Sequence, residues 1–154
     1  MQIAIRHPEL VDKLILGSAL CKRRGVPAQF WEFMKKADIS NMPPELKEGY
    51  LKVSPNPEGL QVMHDKDAAR MRTFKDVPDD AIRAVRAPTL IMMGDRDVVT
   101  LEHTSELMRL FPNARLLVLP GGHGEYLGEV TVPTVDSGYP ELTAQLIARF
   151  LAAP

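Results

Sequence analysis

Three short runs of consecutive apolar residues, each closing on glycine or on a glycine loop, constrain this chain more than any other feature. They are Leu14-Ile15-Leu16-Gly17, Leu90-Ile91-Met92-Met93-Gly94, and Leu116-Leu117-Val118-Leu119 followed by Pro120-Gly121-Gly122. A strand that is apolar at successive positions puts apolar side chains on both faces of a sheet, and both faces must be covered. Such runs predict parallel strands buried between helices. Helical patterns separate and follow them. Glu102 to Leu110 carries Leu107, Met108 and Leu110 on its apolar side. A last helix opens at Tyr139-Pro140, with Leu142, Leu146, Ile147, Phe150 and Leu151 at helical spacing. This order predicts an α/β fold: three parallel strands with flanking helices.

Residues 19–86 break the pattern. Apolar residues there become sparse and helix-spaced: Phe30, Trp31, Phe33 and Met34, then Leu46, Tyr50 and Leu51, then Leu60, Val62 and Met63, with Met71 and Phe74 beyond. Pro43-Pro44, Pro55 and Pro57 punctuate them. The segment reads as four or five short helices without a strand, followed by a further short helix whose first turn holds Asp79 and Asp80. The expected organisation is a core of residues 1–18 and 87–154 with a helical insertion at 19–86. The chain also opens inside an apolar helical pattern, Ile3-Ala4-Ile5, that stops at His7-Pro8 because a residue before proline is pushed out of the helical region. A helix ordinarily begins with a cap and polar residues. The expectation is that something upstream is missing.

Composition removes several function classes. At 154 residues with 45% hydrophobic and 25% charged, the chain suits one soluble domain rather than a disordered segment. With 19 Lys+Arg against 20 Asp+Glu, it carries no global positive field for nucleic acid or an anionic membrane. Neither is expected as a partner. The apolar runs suit buried strands, not membrane spans. One cysteine, Cys21, excludes an intramolecular disulfide framework and a Cys-only metal site, and a reducing, cytoplasmic setting is the simplest expectation. His64-Asp65-Lys66-Asp67 reads as a solvated helix face, Lys22-Arg23-Arg24 as a solvated loop, and His7 and His103 as surface residues. No metal and no cofactor is expected.

The chemistry concentrates in two loops. Gly94-Asp95-Arg96-Asp97 follows the second strand, and Pro120-Gly121-Gly122-His123-Gly124 follows the third. Open parallel sheets bind ligands at the carboxyl ends of their strands. Neighbouring strands would thus present an acid and a histidine on the same edge. A carboxylate beside an imidazole fixes its tautomer and stabilises the imidazolium, which is the orienter-and-base half of a nucleophilic triad.

At this point the chain resembles the α/β-hydrolases. The matching stretches are Arg6-His7-Pro8-Glu9-Leu10-Val11-Asp12-Lys13-Leu14-Ile15-Leu16, Ala87-Pro88-Thr89-Leu90-Ile91-Met92-Met93-Gly94-Asp95-Arg96-Asp97, Phe111-Pro112-Asn113-Ala114 and Leu119-Pro120-Gly121-Gly122-His123. The resemblance implies a partial α/β-hydrolase fold whose sixth, seventh and eighth strands are the three runs. It implies Asp97 as catalytic acid, His123 as catalytic base, and 19–86 as the family's cap. Phe30, Trp31 and Met34 would then bind an apolar part of a small-molecule substrate, or else pack the cap onto the sheet.

The family's chain order is nucleophile, acid, histidine, with the nucleophile in a Gly-x-Ser-x-Gly elbow. No such elbow occurs here. The expectation is a C-terminal half that starts a few residues after the elbow, either as a truncated copy or as one half of a two-chain assembly. Ser18 lies on the correct edge but reads as the lead into the cap. Ser105 and Ser137 read as solvated or capping residues. Cys21 reads as a small apolar residue near the hinge. Asp95, the competing acid, reads as a turn residue, and Glu125 and Tyr126 as packing and loop hydrogen bonding. Two functions stay open. One is a hydrolase of ester or related bonds in a small to medium, partly apolar substrate, this chain supplying acid and histidine to an upstream serine. The other is an inactive module that folds by dimerising or by pairing with a missing N-terminal half. A small flavodoxin-like domain is a weaker alternative, since Gly17-Ser18-Ala19 offers no phosphate loop.

Overall fold

The computed structural model describes residues 1–132 and 137–153. Its sheet has three parallel strands in the order β1-β2-β3: β1 Leu14–Gly17, β2 Thr89–Gly94 and β3 Ala114–Leu119. The register pairs Leu16 with Ile91 and Ile91 with Leu116. Because side chains alternate across a strand, this one row points to a single face. There it meets Ala4 of α1 (Gln2–Arg6), Ile82 of α5 (Asp79–Arg83), and Leu107 and Leu110 of α6 (Leu101–Leu110). The other face carries Ile15, Leu90, Met92, Leu117 and Leu119, packed against Tyr126 and against Tyr139, Ile147 and Phe150 of α7 (Tyr139–Ala152). Each fully buried aliphatic side chain contributes on the order of 1.5–3 kcal/mol.

Every residue of β2 is buried. β1 and β3 are the sheet's edges and are only half covered. Their consecutive apolar residues predict burial on both faces. The exposure at the β1 edge continues into a groove lined by Met1, Ile3, Leu10, Val11, Leu14 and Leu151. Within it Leu10 is 71% and Ile3 63% exposed. Lys13, just before β1, closes the far end of α7. Its Nζ donates to the carbonyls of Phe150, Leu151 and Ala153, which the helix leaves without intrahelical partners.

Residues 19–86 hold α2 (Ala28–Lys35), α3 (Pro44–Val53), α4 (Gly59–Arg72) and α5, with 3₁₀ turns at Arg23–Gly25 and Ile39–Asn41. No strand occurs among them. The segment is rooted at the carboxyl edge of the sheet: Thr100 N donates to Gly25 O at 2.9 Å and Val77 N to Cys21 O at 2.8 Å. Trp31 of α2 packs with Val26 and with Val99 in the loop after β2, flanked by Phe30 and Phe74.

Two surface expectations are corrected here. Lys22 is buried, with Nζ 2.6 Å from Val77 O and 2.5 Å from Asp79 Oδ1, so it ties the start of the segment to its end. His103 is buried too. Its Nε2 accepts from Cys21 N at 3.2 Å. Gly25 makes room for it: a Cβ there would stand 2.5 Å from the imidazole ring. Neither fact is legible locally, because both depend on partners 55 or more residues away. Among the described residues no helix is long and apolar enough to cross a membrane.

Candidate active site

The two loops that follow β2 and β3 are joined to one another before any side chain is considered. Asp95 N donates to Leu119 O at 2.8 Å and Arg96 N to Gly121 O at 3.0 Å, so the parallel pairing continues past the strand ends. The approach is close enough to exclude a side chain at position 94. A Cβ on Gly94 would lie 2.3 Å from Gly121 O and 2.5 Å from Gly122 O, both backbone atoms. Gly121 turns the third-strand loop at φ +125°, where L-residues are strained. Asp95 contributes here by accepting from Gly121 N at 2.8 Å. Its role is to lock the loops together, and it makes this bond across to the neighbouring loop rather than within its own turn. Glu125 does the same for the histidine loop, accepting from Gly122 N at 2.7 Å.

On this frame Asp97 and His123 meet. His123 Nδ1 lies 2.8 Å from Asp97 Oδ1. The Asp97 side chain is 0% exposed while that of His123 is 54% exposed. Asp97 Oδ1 also accepts from Val99 N at 3.0 Å, and Oδ2 accepts from the Ser18 hydroxyl. The cap of α6 is Thr100, whose hydroxyl accepts from His103 N at 3.2 Å, so Asp97 is not spent on capping. Burial alone would raise the Asp97 pKa. The donors His123, Ser18 and Val99 N outweigh it, and the carboxyl lies below the ordinary aspartate value. The hydrogen bond that His123 donates to Asp97 raises its pKa above the ordinary histidine value, against the opposing effect of burial. An ionised carboxylate only accepts, so Nδ1 carries the proton and neutral His123 keeps its lone pair on Nε2. That arrangement suits a general base.

Ser18 and Tyr126 complete the set, and sequence reasoning missed both in these roles. Ser18 follows β1 and pairs its amide with Met92 O at 2.8 Å. Among the described residues it is the only non-glycine with positive φ, +47°. Its Oγ is 3.0 Å from Tyr126 Oη, which in turn lies 3.2 Å from Met92 O. The order is therefore serine, aspartate, histidine. In a nucleophilic triad the imidazole stands between the other two, taking the nucleophile's proton. Ser18 binds the acid and so does not occupy the nucleophile's place. Its one sequence signal was its position just past a strand, on the edge that carries the acid and the histidine. Tyr126 had only its spacing of three residues from His123.

The remaining candidates separate cleanly. Cys21 is buried, and burial pushes its thiol up to about 11, so it carries no thiolate near neutrality. Ser137 accepts from Tyr139 N at 3.3 Å at the start of α7. Trp31 is closed into its aromatic cluster, with Nε1 donating to Arg23 O at 2.8 Å and the Arg23 guanidinium 3.8 Å over its ring. Phe30 is partly buried against it, and Met34, three residues further along α2, is partly buried. Among the described residues no group of three or more His, Cys, Asp or Glu is placed to hold a metal ion.

No protein-family model matches the chain, and no curated protein sequence is detectably similar to it. Solved structures do match. A hydrolase from Pseudomonas aeruginosa PA01 superimposes with a TM-score of 0.65 at 20% identity, covering 99% of this chain and 60% of the other. A meta-cleavage product hydrolase from Pseudomonas fluorescens IP01 gives 0.65 at 21% identity, covering 97% and 59%. An α/β-hydrolase from a Medee basin deep-sea metagenome gives 0.63 at 15% identity, covering 99% and 60%. The chain therefore has part of the α/β-hydrolase fold, and it spans about 60% of the length of these structures.

Proposed function

We propose that this chain is the acid- and histidine-bearing portion of an α/β-hydrolase-type enzyme that cleaves ester or related bonds. The observation that carries the reading is the 2.8 Å contact between a half-exposed His123 and the enclosed side chain of Asp97 at the carboxyl edge of a parallel sheet. In the proposed reaction a serine from the rest of the fold gives its proton to His123 Nε2 as its oxygen attacks the acyl carbon. Asp97 stabilises the imidazolium so formed. His123 then returns the proton to the leaving oxygen, and water repeats the sequence to release the acid.

The helical segment 19–86 acts as the cap in this reading, with Phe30, Trp31 and Met34 on the side of an apolar substrate group. Support comes from Val99, two residues from Asp97, which belongs to the Trp31 cluster. The open edge of β1 and the apolar groove beside it support association with the complementary part of the fold or with a second copy.

The test is hydrolysis of p-nitrophenyl butyrate. The 154-residue chain alone is expected to match the buffer rate, as is its His123→Ala variant. The chain extended into the reading frame upstream of its first codon is expected to turn over and to lose at least 10³-fold with His123→Ala, about the cost of removing a triad member. Turnover by the 154-residue chain that His123→Ala abolishes would overturn the assignment of the nucleophile. An extended chain whose turnover ignores His123 would overturn the reading itself.

A further inference from the structure

The catalytic acid has two oxygens, and the histidine uses only one. We propose that Ser18 is a positioning residue that holds the Asp97 carboxylate from its far side, with Tyr126 fixing Ser18 from behind. This inference rests on the hydrolase reading for its purpose, but its geometry stands alone. Asp97 Oδ1 is shared by His123 Nδ1 and Val99 N. Both bonds meet at one atom, so they leave the carboxylate free to swing about it. The Ser18 hydroxyl, donating to Oδ2, removes that freedom.

The protons settle the direction of the chain. Asp97 accepts only, so the single Ser18 proton goes to it. The contact of 3.0 Å between Ser18 and Tyr126 then takes the Tyr126 proton, shared with Met92 O at 3.2 Å. Each group thus donates towards the acid: Tyr126 to Ser18, Ser18 to Asp97. Donors that follow one another in this way polarise and strengthen each bond.

The backbone shows that the hydroxyl is placed there against a local penalty. Position 18 has φ +47°, a region where glycine is at ease and serine is not. The neighbouring Gly17 keeps the approach clear, since a Cβ there would lie 3.0 Å from Tyr126 Oη. A turn that served connection alone would be better filled by glycine. Retained strain beside a buried acid is the mark of a positioned functional group.

Ser18→Gly separates the hydroxyl from the fold, because glycine suits the backbone and keeps the amide bond to Met92 O. The readouts are the Asp97 carboxyl ¹³C titration and the hydrogen-bonded His123 Nδ1–H proton resonance, with the melting temperature as control. In Ser18→Gly the melting temperature should hold or rise. The Asp97 midpoint should rise by about one unit, the effect of one lost hydrogen bond to a charged group. The Nδ1–H resonance should broaden into exchange, although the hydrogen bonds of Ser18 run to Asp97 and Tyr126 and not to His123. Tyr126→Phe should move both readouts in the same direction by less. It leaves Met92 O bonded to the Ser18 amide, so it keeps the question answerable if the glycine variant folds poorly. An unmoved Asp97 midpoint with an unchanged His123 resonance, in either folded variant, would overturn the proposal. None of these readouts needs turnover. A clamp that fails leaves the hydrolase reading to its own assay, and an inactive extended chain leaves the clamp standing.

Discussion

Asp97 carries its charge in a place where burying an unpaired carboxylate would cost several kcal/mol. Three donors face it, from His123, Ser18 and Val99 N. Hydrogen bonds to a charged group are worth about 1.5–3 kcal/mol each, so together they outweigh the penalty. His103 is the opposite case: burial lowers its pKa below the ordinary value, and its Nε2 is already accepting from Cys21 N. The unfolded chain takes up the His103 proton near the ordinary histidine value of about 6.5, whereas the folded chain refuses it until lower pH. Stability should therefore fall as pH drops from about 6.5 towards the folded value. The melting temperature followed against pH should show this decline, and His103→Gln should flatten it; an equal slope in both proteins would contradict the assignment. That an acid and a histidine share one edge of the sheet was legible because each loop follows an apolar run, while the choice of Asp97 over Asp95 came from the family resemblance. Ser18, Tyr126 and His103 were not legible, since their roles come from the pairing of β1 with β2 and from the fit of Gly25 against an imidazole.

Among the elements, the loops after β2 and β3 behave as one unit, joined by Asp95 N, Arg96 N and the Asp95 carboxylate. Gly94 is the point where they touch, and the atoms a side chain would strike are backbone that cannot swing aside. Gly94→Ala should cost on the order of 2–3 kcal/mol, the upper range for overpacking. It should also part His123 from Asp97. Denaturant unfolding measures the first effect and the His123 Nδ1–H resonance the second; a variant of unchanged stability would contradict the close approach. The strands themselves were legible from consecutive apolar residues, because β2 is buried on both faces. The same pattern overstated the cover on β3, whereas the open edge of β1 follows from the absence of a run that could form the strand beside it. In residues 19–86 helix spacing conveyed the class of structure. Two of the short helical pieces are 3₁₀ turns, whose three-residue length leaves no periodicity to read.

As a whole molecule, the chain has one well-covered strand, two edges, and an apolar groove beside β1 holding Leu10, Ile3 and Leu151 largely in the open. An exposed strand edge next to exposed apolar surface favours association. Light scattering on the purified chain should give a mass above the 17.2 kDa of one copy, falling towards it in Leu10→Lys. A concentration-independent monomer would count against this face as an interface. The fold delivers a charged acid with an enclosed side chain to a half-exposed histidine, and the NMR titration of His123 in the wild-type chain and in Asp97→Asn tests this pairing most directly. The geometry predicts a wild-type midpoint above the ordinary histidine value of about 6.5, falling by a unit or more when the carboxylate is removed. A midpoint at or below that value, unmoved by Asp97→Asn, would contradict the pairing on which the proposed function rests.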